Sequence, residues 1–97
     1  MTDYVLSGEA AADLDGLTRY GAARFGVRVG AKYARNILNS LELAALFPKA
    51  AVTDTTADGR RFRRRDIRSH AAFYLDRADH ILVVRILHQA MDFDRYL

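Results

Sequence analysis

The chain has 97 residues with 15 Lys+Arg against 12 Asp+Glu, a net charge of +3, and 51% of its residues are hydrophobic. That is enough apolar material for one domain over residues 1–97 with its own core, which excludes wholesale disorder. There is no cysteine, so a disulfide scaffold and a thiolate metal site are excluded, and the longest strongly apolar run, Ile81–Val84, is far too short to span a bilayer. The N-terminal MTDYVLSGEA lacks a basic then apolar leader pattern, so a cytoplasmic protein is expected.

Asp3–Leu6 reads as a short strand, with Ser7 as the N-cap of a helix that runs to about Phe25. Leu14, Leu17 and Tyr20 or Gly21 recur at helical steps, extended backwards by Ala10 and Ala11, while Asp13 and Asp15 are expected on the solvated side. Gly26 is the expected stop. A second helix is expected over about Arg28–Phe47. Its polar stripe is Arg28, Lys32, Arg35, Asn39 and Glu42, opposite a wide apolar face of Tyr33, Ile37, Leu38, Leu41, Ala44 and Ala45. Pro48 ends it, and the short Gly-containing turn makes the two helices an antiparallel hairpin.

Lys49–Gly59 is polar and is expected to be a surface loop. Beyond it the period changes to two. Arg60–Asp66 reads as an exposed or edge strand, Ile67–His70 as a turn or bulge, and Ala71–Leu75 as a strand. Arg77–His80 is a hairpin turn. Ile81–His88 is apolar on both faces, so it is expected at the sheet centre, with Ile81, Val83 and Leu87 on one side and Leu82, Val84 and Ile86 on the other. Met91–Leu97 is a short tail. The order is β-αα-βββ, an α+β fold in which the helical hairpin covers one face of a small, mainly antiparallel sheet. With only two helices available, the other face is expected to be under-covered and open to a partner.

The charge is unevenly placed. Arg60–His70 holds six arginines (Arg60, Arg61, Arg63, Arg64, Arg65 and Arg68) against Asp66, which is +5 and leaves −2 for the other 86 residues. Strand alternation puts Arg61, Arg63 and Arg65 on one face and Arg60, Phe62 and Arg64 on the other. Guanidinium forks in a comb bind carboxylates or phosphates, or they guard a sheet edge against aggregation. Arg85 lies in the most apolar strand and needs a paired charge, for which Asp76 and Asp92 are candidates. His70, His80 and His88 have no metal-ligand spacing, and His70 and His88, near strand ends, read as structural residues hydrogen-bonded to backbone. No cofactor motif and no metal site is visible.

The order and local strings resemble the ParE branch of the RelE/ParE toxin superfamily. The resemblance runs through Tyr4-Val5-Leu6-Ser7, Ala11-Ala12-Asp13-Leu14, Tyr20, Phe25-Gly26, Tyr33, Leu43-Ala44 and Pro48. It continues with Gly59-Arg60, Ser69-His70, Phe73-Tyr74 and the closing Val84-Arg85-Ile86-Leu87-His88 with Met91-Asp92. It implies the toxin of a type II toxin–antitoxin system that stabilises a plasmid or chromosome. The implied target is DNA gyrase, through its A subunit, and the implied partner is a ParD-like antitoxin in a hetero-oligomer. No catalysis and no cofactor is implied. Antitoxin or target contacts are then expected at Arg60, Arg61, Arg63, Arg64, Arg65, Phe73, Arg85 and His88. The alternative is a RelE-like ribosome-dependent mRNA endonuclease, for which Arg61, Arg85, His88 and Tyr96 are the available catalytic set; a degenerate, non-toxic binding module is the third reading. Lys32 and Lys49 are the only lysines, and Asp92 and Asp94 put negative charge around the tail, which favours a protein over a nucleic acid as partner.

Overall fold

A computed structural model describes residues 3–97. In chain order it contains β1 (Asp3–Leu6), α1 (Gly8–Phe25), α2 (Val27–Leu46), a 3-10 turn (Pro48–Ala50), β2 (Val52–Thr55), β3 (Arg61–Ile67), β4 (His70–Asp76), β5 (His80–His88) and a second 3-10 turn (Phe93–Arg95). The five strands lie in the order β1-β5-β4-β3-β2. β1 runs parallel to β5, and every other pair is antiparallel. The α+β architecture read from the sequence holds.

Ser7 joins strand to helix. Its backbone N–H donates to Val83, its Oγ accepts from the Ala10 N–H at 3.0 Å to cap α1, and its hydroxyl donates to the Val84 carbonyl at 2.8 Å. Gly26 closes α1 and opens α2 at φ 97°, a left-handed value that side chains disfavour. The helices then meet at two glycines. A methyl on Gly30 would stand 2.7 Å from the Ala22 nitrogen and 2.9 Å from the Thr18 carbonyl oxygen, so only glycine permits this approach.

The main core lies between the hairpin and the sheet. Ile37, Leu41, Ala44 and Ala45 of α2 pack with Ala72, Tyr74, Ile81, Val83 and Ile86. The polar stripe of α2 is exposed as expected.

Four expectations are corrected. The Lys49–Gly59 segment is not all loop: Val52–Thr55 pairs with Arg61–Arg64 as a fifth strand, so β3 is an inner strand rather than an edge. β5 is interior, but its faces do not alternate regularly. A bulge opposite Phe73–Tyr74 leaves Val84 between the partners of those two residues, so Ile86 joins Ile81 and Val83 on the helix side while Leu87 turns to the far face. The face away from the helices is not bare either. Phe62, Ala71, Phe73 and Leu87 form a second cluster there, covered by Met91, Phe93 and Leu97 of the tail. Finally, Asp13 is not on the solvated side of α1; it is turned inward onto β5.

Candidate functional site

β1 pairs with β5 only as far as Val83, so the edge of β5 beyond that point has no neighbouring strand. Side chains from α1 seal it instead. Asp13 accepts from the Ile86 N–H at 3.0 Å and binds Arg85 with both oxygens, at 2.7 Å from Nε and 2.9 Å from Nη2. Arg85 also reaches Glu9, the Tyr96 carbonyl and the Tyr96 ring. The Asp13 bond, outweighing burial, raises the Arg85 guanidinium above its usual value. The partners suggested by the sequence, Asp76 and Asp92, are not used. Asp15, two residues on, instead makes an exposed ion pair with Arg19.

The arginine comb divides as alternation predicts. Arg60 and Arg64 take the far face. Arg64 bonds Asp54 and Asp66, and its guanidinium lies over the Phe93 ring at 4.7 Å. Arg60 bonds Asp58, lies over Phe62 and donates to the Leu97 backbone oxygen. Both arginines therefore hold the tail in place over Phe73, which is fully buried. Arg61, Arg63 and Arg65 take the helix side. Among the described residues none of the three has a carboxylate ion-pair partner; Arg65 bonds the Ser40 hydroxyl at 2.6 Å, while Arg61 stands exposed.

An open concavity lies at the opposite end of the sheet. α1 is 18 residues long, about 27 Å at 1.5 Å per residue. It starts beside Val84, and only four more residues of β5 remain before the strand ends at His88, about 13 Å of rise. The hairpin tip therefore overhangs the sheet. Tyr20, Phe25 and Val29, near that tip, are 63%, 63% and 51% exposed. They wall an open groove of about 610 Å³ floored by Ile86 and rimmed by His70, His88 and Met91. Of the two residues the sequence offered for the end of the core stripe, Tyr20 or Gly21, it is Gly21 that packs against α2, while Tyr20 is exposed. Leu43, Leu46 and Phe47 form a further exposed apolar patch at the end of α2.

His70 and His88 are cross-strand partners with rings 5.2 Å apart, and the Tyr33 hydroxyl hydrogen-bonds His70 Nδ1 at 2.7 Å. Burial, followed by the neighbouring His88, lowers the His70 pKa below the ordinary 6.5, against a small opposing effect of Asp13. His88 Nδ1 accepts from the Ala90 N–H. Among the described residues no cluster of three metal-ligating side chains occurs.

The four residues of the possible nuclease set are dispersed. Arg61 lies two residues before Arg63, which leads through Tyr74 to Val83, five residues short of His88. That places Arg61 and His88 roughly 20 Å apart along the strands. Arg85 and Tyr96 meet, but Arg85 is committed to Asp13.

A model of the ParE toxin of the type II toxin–antitoxin system parDE matches residues 4–93. The chain belongs to the ParE toxin family. It is 35% identical over 92 residues to Toxin ParE1 of Caulobacter vibrioides, covering 95% of this chain and 94% of that one. It is 33% identical over 96 residues to Toxin ParE1 of Mycobacterium tuberculosis, covering 97% and 96%. A solved structure of a chromosomal ParDE system from P. aeruginosa shares the fold, with a TM-score of 0.75 at 17% identity over 91% of this chain and 95% of that one. No helix among the described residues is long and apolar enough to cross a membrane.

Proposed function

We propose that this ParE-family toxin is a single domain acting in the cytoplasm by binding DNA gyrase, without catalysis, and that a ParD-like antitoxin holds it inactive in a hetero-oligomer. The family match over residues 4–93 carries this reading. The dispersal of Arg61, Arg85, His88 and Tyr96 supports it over RNA cleavage. A metal-free nuclease must bring a base, a phosphate-stabilising cation and an acid to one scissile bond, within hydrogen-bond reach. A binder needs only complementary surface. Two such surfaces lie at opposite ends of the sheet: the apolar groove under the hairpin tip, and the helix-side arginines Arg61 and Arg63.

Expression of the chain alone in a bacterium, with DNA and protein synthesis followed together, tests the reading. Early DNA arrest with SOS induction is expected, and purified chain should inhibit supercoiling by purified gyrase. Early translation arrest with cut transcripts would refute the gyrase reading in favour of the nuclease. Normal growth despite accumulated protein would refute toxicity.

A further inference from the structure

β2 forms one edge of the sheet. It pairs with β3 alone, and it carries neither lysine nor proline, the residues that commonly blunt exposed edges. Its register fixes which backbone groups are free. The Thr56 N–H donates to the Arg60 carbonyl at 2.8 Å, so in an antiparallel ladder the hydrogen-bonded pairs continue as Asp54 with Phe62 and Val52 with Arg64. Thr53 and Thr55 therefore aim their N–H and C=O groups outward, and they lie opposite Arg63 and Arg61.

Side chains and backbone thus converge. On the helix side of the sheet, β2 presents only the short side chains of Thr53 and Thr55, over which Arg61 and Arg63 can extend. A strand added to β2 would lie about 9.6 Å from β3, two strand spacings, which the combined length of arginine and glutamate side chains spans. The far-face arginines are already neutralised by Asp54, Asp58 and Asp66, whereas Arg61 and Arg63 have no carboxylate ion-pair partner among the described residues. Val52 stands exposed on the other face of the same edge.

We infer that the β2 edge takes an extended acidic segment of a partner polypeptide as a sixth strand, its alternate carboxylates meeting Arg61 and Arg63 and its intervening apolar residues lying beside Val52. The inference rests on the toxin–antitoxin reading only in taking that polypeptide to be the antitoxin. A nucleic acid would satisfy the guanidinium groups but has no alternating N–H and C=O to pair with Thr53 and Thr55.

The test is residue-resolved NMR of the full chain, titrated first with a short capped peptide alternating glutamate and valine, then with the antitoxin. The amides of Thr53 and Thr55 should shift and gain protection from exchange. Those of Val52 and Asp54, already bonded to β3, should change much less. The double variant Arg61→Glu/Arg63→Glu should weaken peptide binding about tenfold or more, and salt should weaken binding to the original chain. Thr53→Pro should block strand addition while leaving Arg61 and Arg63 in place. Shifts confined to the hairpin groove, or an undiminished affinity of the double variant, would overturn the inference. So would an oligouridylate that binds while the peptide leaves Thr53 and Thr55 unmoved. A chain that binds no antitoxin and arrests no growth, yet shows the alternating Thr53/Thr55 response, would refute the toxin reading and leave the sheet-edge inference standing. A toxic, antitoxin-bound chain without that response would do the reverse.

Discussion

Replacing Asp13 with alanine removes three bonds at once. The carboxylate binds Arg85 through both oxygens and also accepts the Ile86 N–H, and the two side chains are only 16% and 18% exposed. Breaking a buried ion pair from one side costs about 3–5 kcal/mol, because the remaining charge is left without its partner. Arg85 keeps Glu9 and the Tyr96 carbonyl, which places the loss near the lower end, at about 3 kcal/mol. For a domain of this size that is a fall in Tm of roughly 12–24 °C. Denaturant and thermal melts of the two-state transition measure it. Asp15→Ala is the internal control: its pair with Arg19 has side chains 62% and 79% exposed, so the loss should stay below about 0.5 kcal/mol. Adding Arg85→Met to Asp13→Ala should cost little more, since the pair is already broken. A loss under about 1 kcal/mol for Asp13→Ala, or equal losses at Asp13 and Asp15, would refute the reasoning that α1 seals the β5 edge through this carboxylate.

Gly30→Ala drives a methyl into the α1 backbone and should destabilise the fold by about 1–3 kcal/mol, read from melts, with altered chemical shifts at Tyr20 and Val29 as the helices part. Phe93→Ala removes an edge-on ring 4.7 Å from Phe73 and the face on which Arg64 rests. It should cost about 2 kcal/mol and raise the binding of a hydrophobic dye at the uncovered far face. The folded His70 pKa lies below the ordinary 6.5, so the unfolded chain binds the proton more readily. This contribution to stability is complete above 6.5 and is lost as pH falls from 6.5 through the folded value; His70→Asn should flatten that part of the pH–stability curve.

Period and capping made much of the fold legible in the sequence: β1, the Ser7 cap, both helices, Gly26 between them, and the three strands after Gly59. β2 was hidden because Val52–Thr55 is short and carries an aspartate amid polar neighbours; its β-branched Val52, Thr53 and Thr55 were the available signal. The bulge at Val84 leaves no trace in the apolar run Ile81–Val84, since each of those four residues suits either face. Asp13 could have been found. It falls in the stripe Ala10, Asp13, Leu14 and Leu17 at helical spacing, whereas Asp15 does not. The split of the arginine comb followed directly from strand alternation, but its use did not. Arg60 and Arg64 hold the tail through Leu97 and Phe93, contacts between segments that only the folded chain brings together. The groove likewise depends on a helix outrunning the strand it covers.

The parallel pairing of β1 with β5 joins Asp3 to His80, and the Ser7 and Asp13 contacts join α1 to Val84 and Arg85. During synthesis the first elements therefore emerge without the strand they were shaped to cover. The hairpin's apolar face has no sheet to rest on until residues 80–88 have been made and have left the ribosome. Long-range closure of this kind is slow compared with helix formation. A nascent copy of this toxin is thus unfinished until β5 has been made. Folding itself delays the moment at which a newly made molecule can reach any target.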